Sequence, residues 1–437
     1  MNKEILRLAV PNIITNITVP LLAMADTAIA GHLPSFLYIG AVSAAGVIFN
    51  FLYWNFSFLR MGTSGFTAQA VGANNEKECV NTLVRALFTA FSAGVILIVL
   101  QSFIFKAAFF FLQASPQTRA LAAEYFFIYI WSAPFALAMF AFTGWFIGMQ
   151  NAKAPMIISI SANIVNIICS LIFVFAFHLD IKGIALGSLA AQIFAFVLSA
   201  FIWFKFYGKL KKHVSFKVLK SLSGFAAFFK VNRDIFLRSF ALIMVTVFFT
   251  SVSARSGDIY LSANNLLMQF FILFSYIMDG FAFAAEALSG KYFGAGDYGK
   301  LKFIIRRIFA WGILLSLLFT AVYAVFAGGI LGLLTDKSEV VSAALKYKYW
   351  AVLVPLAGFA AFLWDGIFVG ITASRQMRDA MLFAAAGFFG LYFLLASKLG
   401  NNALWLSFLL YLTLRGLAEW ILYRSIQKSF KTPPAEK

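Results

Sequence analysis

Long stretches without a single Asp, Glu, Lys or Arg recur from one end of this chain to the other, at residues 86–105, 125–152, 154–179, 183–204 and 308–335. About 20 apolar residues of helix cross the hydrocarbon core of a bilayer. Within lipid a backbone must satisfy its own hydrogen bonds, so segments of this length and character are helices that span a membrane. With 62% hydrophobic and 12% charged residues in 437, and a mean hydropathy of +0.88, the chain falls outside the range of soluble domains. The fold class expected is an all-α integral membrane protein.

Polar or turn-forming breaks at 32–36, 72–78, 113–119, 151–155, 178–182, 207–232, 255–258, 294–302, 335–348, 375–379 and 398–402 divide the chain into twelve spans. The first apolar run could be taken for a signal peptide cleaved after Ala28 or Ala30. It is longer than the apolar region of such peptides and is followed by eleven comparable segments, so it is read as a retained span. An even number of spans puts both termini on one side. Placing them in the cytoplasm collects about 26 of the 35 Lys and Arg residues on the inner side, so both termini are expected to be cytoplasmic. The net charge of +18 follows from that bias, above all from Lys205, Lys209, Lys211, Lys212, Lys217, Lys220, Lys230 and Arg233, and requires no nucleic-acid partner.

This basic stretch also divides the chain: residues 1–207 form a first lobe, 208–233 a basic cytoplasmic linker and 234–437 a second lobe with a short tail. The halves resemble each other. GFTAQAVGANN (65–75) matches ALSGKYFGAGD (287–297), and WFIG (145–148) matches IFVG (367–370). Gly72 and Gly294, like Gly148 and Gly370, stand 222 residues apart. Six spans per repeat make the repeats parallel, related by an axis along the membrane normal, an arrangement that can rock about a central cavity.

Ionisable groups within a span are costly and mark functional sites or buried pairs. Asp26 is flanked by uncharged residues for more than a turn of bilayer depth on each side. Pro20, six residues earlier, leaves the carbonyl of Asn16 without its helical donor and offers a hinge. Burial disfavours the charged carboxylate, so binding a proton or cation there would change which helix geometry is preferred. On span 5, Asn163, Asn166 and Ser170 fall on one helical face and could coordinate a cation, relay a proton or simply pack helices together. Ser188 on span 6 and Tyr129 on span 4 are weaker candidates of the same kind. In the second half Arg238, expected to open span 7, joins Asp279 and Glu286 on span 8 and Asp365 on span 10 in a mixed-sign group, either a coupling site or a self-neutralising network. Arg415 and Glu419 read as a local pair on span 12. His32, His178 and His213 fall at span ends or in the linker. Cys79 and Cys169 have no metal-ligand spacing, so neither a metal site nor a disulfide framework is expected. There is no phosphate-loop motif and no convergent set of catalytic residues, so an enzyme is not expected and an ion gradient is the expected energy source.

Taken together, NITVPLL (16–22), DTA (26–28), GHL (31–33), FLRMGTSG (58–65), AQA (68–70) and ANIVNI (162–167) resemble the multidrug and toxic compound extrusion (MATE) transporters, in particular their DinF (DNA-damage-inducible protein F) branch. NRDIFLRS (232–239), DGFAFAAEA (279–287), DGIFVG (365–370) and NALWL (402–406) extend the likeness over nearly the whole chain. The resemblance implies two six-helix lobes in a V around a cavity open to drugs, with export of small organic, amphipathic or cationic compounds from a bacterial inner membrane by a monomer. It also implies coupling to inward flow of H⁺ or Na⁺, with Asp26 as the responsive carboxylate and Asn166 as its companion amide. Many relatives carry a second carboxylate where this chain has Ser170, and a threonine where it has Ser188. One fewer negative charge favours H⁺ over Na⁺. A lipid-linked precursor is the alternative cargo, for which cavity-facing arginines at 60 and 238 would be the discriminator.

Overall fold

The computed structural model describes residues 1–112, 114–220 and 222–429. Twelve helices are long and apolar enough to cross a membrane: Asn2–Gly31, Leu37–Gly72, Glu76–Val99, Pro116–Gly148, Lys153–Ala176, Asp180–His213, Phe228–Arg255, Asp258–Gly294, Tyr298–Leu334, Ser338–Gly370, Ser374–Leu399 and Asn401–Lys428, numbered spans 1 to 12. No strand occurs among the described residues. Ten of the eleven expected breaks overlap a boundary between consecutive spans; the break at 375–379 falls in the first turns of span 11, the boundary lying at residues 371–373. A second boundary is also displaced. Helix resumes at Leu222, about three turns earlier than the polar linker suggested, because an apolar run including Phe228 and Phe229 extends it ahead of Asn232. Arg238 therefore lies well inside its helix rather than opening it.

The chain packs as two compact units, Val10–Phe229 and Lys230–Lys437 together with Met1–Ala9. Within each, the internal repeat is reproduced down to single backbone positions. Asn74 and Gly296 end spans 2 and 8 with left-handed backbone, φ 52° and 69°. Gln150 and Thr372 do the same after spans 4 and 10, at 62° and 54°. In all four places the next residue's N–H reaches back to a carbonyl of the last turn: Asn75 to Ala70, Asp297 to Tyr292, Asn151 to Phe146 and Ala373 to Phe368. This is the terminator in which a left-handed residue lets the chain satisfy the helix's last carbonyls. The following helices start alike, Asn75 accepting from the Glu78 N–H (3.0 Å) and Asp297 from the Lys300 N–H (2.9 Å).

Glycine fixes the closest helix crossings. A Cβ on Gly144 would overlap the Arg60 carbonyl, and one on Gly148 would overlap Thr67 and the Ser64 carbonyl. In the second unit Gly366 meets the Ala282 carbonyl, while Gly370 meets Ser289 and the Glu286 carbonyl, the same contacts 222 residues on. In a bilayer, where lipid tails are as apolar as leucine, such backbone approach is a principal source of helix association. Aromatic side chains fill the remaining space: Phe49, Tyr125 and Phe126 in the first unit, Phe270, Tyr323, Phe388 and Trp405 in the second.

Candidate functional site

The polar groups of the first unit gather where spans 1, 4, 5 and 6 approach. Span 1 stays helical through Pro11 and Pro20, with Thr15 and Thr18 hydroxyls donating to the carbonyls of Pro11 (2.9 Å) and Thr15 (2.7 Å). Asp26 lies one and a half turns beyond Pro20, close enough to Tyr125 and Tyr129 of span 4 to act on them electrostatically. Its Oδ1 is buried and accepts no hydrogen bond among the described residues. On span 5, Asn166 donates through Nδ2 to Ser188 Oγ of span 6 at 3.0 Å, while its Oδ1 is buried without a partner. Ser170 Oγ, one turn on, is also buried and unpaired, pressed against Gly187, where any Cβ would overlap it. Just past Ser170 the helix widens into a π-turn over Ile172–Ala176, a feature common at functional sites, and ends at His178 with φ 53°.

Asn163 points elsewhere. Its Nδ2 donates to the Thr18 carbonyl on span 1 at 3.3 Å, beside a Thr18–Ser159 hydroxyl contact of 3.4 Å, so it ties span 5 to the segment just before Pro20. The three residues expected on one face thus divide between two tasks: Asn166 and Ser170 face span 6, Asn163 faces span 1.

The second unit contains a different centre. Arg238 of span 7 donates Nε to Asp365 Oδ1 on span 10 at 3.2 Å and Nη2 to Oδ2. Arg415 of span 12 donates Nη2 to the same Oδ2 at 2.5 Å and lies over the Tyr411 ring. Arg415 therefore pairs across helices instead of along its own with Glu419, because the Asp365 carboxylate, 50 positions earlier in the chain, is brought within reach. Glu419 is buried one turn along span 12 from Arg415, its Oε2 without a partner among the described residues. Glu286 is buried at the span 8–span 10 crossing, and half-buried Asp279 acts on Tyr276. No cluster of His, Cys, Asp and Glu able to hold a metal ion occurs among the described residues.

The repeated helical plan is matched in known proteins. The MatE family model matches twice, over residues 11–172 and 235–397, its two copies starting 224 residues apart. The chain belongs to the MATE family. DNA damage-inducible protein F of Escherichia coli K12 is 36% identical over 97% of this chain and 92% of its own length. A probable multidrug resistance protein NorM of Thermotoga maritima is 23% identical over 73% of this chain and 68% of its own. A crystal structure of a MATE protein in the bent conformation superposes with a TM-score of 0.86 at 19% identity, covering 98% of this chain and 96% of that one. The relatives are transporters, and this multi-pass chain shares their family and their fold.

Several residues that shape the two centres were not singled out in the sequence. Tyr125 donates to Ser188 Oγ at 3.5 Å, Gln192 to Tyr129 Oη at 3.5 Å, and Tyr53 meets Ser132 Oγ at 3.1 Å around the Phe49 ring. The signal was present in spacing, since Tyr125 and Tyr129 are one turn apart, as are Ser188 and Gln192. At the linker end of span 7, Asp234 accepts from Arg378 Nη1 at 2.6 Å and Ser374 Oγ at 3.4 Å, an anchor between spans 7 and 11.

Proposed function

We propose that this MATE chain is an exporter of small organic, amphipathic or cationic compounds that exchanges its cargo for an inward-moving proton, with Asp26 as the proton-binding group. One observation carries the reading: Asp26 Oδ1, Asn166 Oδ1 and Ser170 Oγ are buried in one unit and all three lack partners among the described residues. Buried polar atoms are rarely left unpaired, and three oxygens able to accept without a donor are the complement of a proton or small cation. Ser170 supplies a hydroxyl rather than a second carboxylate, which favours a proton over Na⁺. Protonation of Asp26 removes a buried charge beside Tyr125 and Tyr129 and releases span 1, which lacks one backbone bond at Pro20, to adopt a second geometry. Alternating access then follows from a helix with two states and a cargo that favours one of them.

The names carried by the relatives, multidrug resistance and toxin extrusion, agree with an organic cargo. The charge bias of the loops supports residence in a bacterial inner membrane with both termini in the cytoplasm, and a monomer suffices for the mechanism. Flipping of an anionic lipid-linked precursor is the less favoured reading, since Arg238, one of the two arginines it would call on, is bound to Asp365.

The test is efflux from proteoliposomes under an imposed pH gradient and then an imposed Na⁺ gradient, comparing the native chain with Asp26→Asn. Loss of pH-driven efflux in a folded variant is the expected outcome. Undiminished efflux would remove Asp26 from the coupling role and direct attention to Asp279, Glu286 and Asp365.

A further inference from the structure

Spans 3 and 6 and the 3₁₀ turns Gly208–His213 and Phe216–Lys220 enclose a groove of about 590 Å³ inside the first unit, displaced along span 6 from Ser188 and Gln192 of the Asp26 centre. Its volume is in the range of small-molecule sites. From Val80 to Phe91 the groove follows span 3 through eleven residue steps, about 16 Å of helix. That is roughly half of a 30 Å hydrocarbon core, or the depth of one leaflet. Its walls are apolar apart from Trp203, which is 6% exposed and whose indole N–H has no acceptor among the described residues. At the linker end stand Phe216, Leu219 and one charged lining residue, Lys211. Its neighbours Lys212 and His213 are engaged by Glu76 at 3.5 and 3.3 Å, whereas Lys211 forms no ion pair among the described residues. The corresponding place in the second unit, between spans 9 and 12, differs: its pocket is lined by Lys302, Arg424 and Lys428 with little apolar depth.

We propose that the groove seats an acyl chain of one anionic phospholipid, with the lipid phosphate on Lys211. A slot one leaflet deep, closed by Lys211 at the level where headgroups lie, complements that molecule in length, polarity and charge. The glycerol ester oxygens supply the acceptors that the groove walls lack. The bound lipid holds the basic turns Gly208–His213 and Phe216–Lys220 against span 3, independently of what the protein transports.

The test is quenching of tryptophan fluorescence in phosphatidylcholine bilayers containing a minor fraction of lipid brominated on its acyl chain, with the Trp203 signal taken as the difference between the native chain and Trp203→Phe. Brominated phosphatidylglycerol is expected to occupy the groove about fivefold more readily than brominated phosphatidylcholine. Lys211→Ala should erase that preference, and Ala200→Phe, which fills the groove, should abolish quenching by either lipid. Equal quenching by the two lipids in the native chain would overturn the proposal, as would a preference that survives Lys211→Ala. Stronger quenching by a brominated long-chain quaternary amine than by the anionic lipid would also overturn it, making the groove a vestibule for cationic amphipaths.

Discussion

The two halves repeat the same helix ends and the same glycine crossings, yet their buried polar centres differ in how their charge is balanced. Around Asp26 the first half leaves Asp26 Oδ1, Asn166 Oδ1 and Ser170 Oγ buried without a donor among the described residues. Around Asp365 the second half brings two guanidiniums to one carboxylate, with Glu419 buried one turn along span 12 from Arg415. A centre that holds its own counter-ions is a fastener. One that lacks them is, on the function proposed above, a receptor for an external charge. Duplication of a scaffold thus fixes where helices cross without fixing what the buried polar groups do.

The contrast can be broken most forcefully at Asp365. Replacing it by Ala strands two buried guanidiniums and should cost about 3–5 kcal/mol, read as a large fall in thermal midpoint or loss of monodisperse protein in detergent. Replacing Arg238, Asp365 and Arg415 together by Met, Leu and Leu should recover most of that loss, as a fastener permits. If Asp365→Ala is as stable as the native chain, the second centre is no fastener and the contrast fails. Next comes Asp26→Asn, which keeps shape and removes the titrating group: stability should shift by no more than about 1 kcal/mol while pH-driven efflux falls to background. Asn166→Ala removes the donor to Ser188 and the companion acceptor, and should weaken proton coupling roughly tenfold, measured as the shift in external proton concentration needed for half-maximal efflux. Ser170→Ala should be the mildest, at most about threefold in the same assay, since its hydroxyl has no partner to lose. A larger loss than for Asn166→Ala would move the centre of the receptor one turn along span 5.

Much of the fold was legible because the signals were local: apolar length, polar breaks and a glycine pattern repeated at a fixed offset. The capped starts at Asn75 and Asp297 were equally open to reading. The left-handed positions at Gln150 and Thr372 were not, since neither residue favours that backbone and only the repeat with its neighbours reveals the turn. At the candidate site, Asp26, Asn166, Ser170 and Ser188 could be named in advance because polar residues in long apolar helices stand out. Which faces met could not. Asn163 turned to span 1, and Arg415 found Asp365 on another helix, because helix rotation is set by packing partners far away in the chain. Tyr53, Tyr125, Ser132 and Gln192 were missed for a related reason: tyrosine and serine are common in such helices, and only convergence distinguishes these four.

The glycine crossings have a mechanical corollary. Where Gly144 and Gly148 bed against the backbone of span 2, and Gly366 and Gly370 against that of span 8, sliding or rotation of either helix drives side-chain atoms into a neighbour's carbonyls. Other pairs are riveted in the same way, span 3 to span 4 where Gly94 beds on Pro134 and span 5 to span 6 where Gly187 beds on Ser170. Span 5 thus carries its unpaired oxygens on a clamped helix, whereas Asp26 lies on span 1, the span interrupted by two prolines.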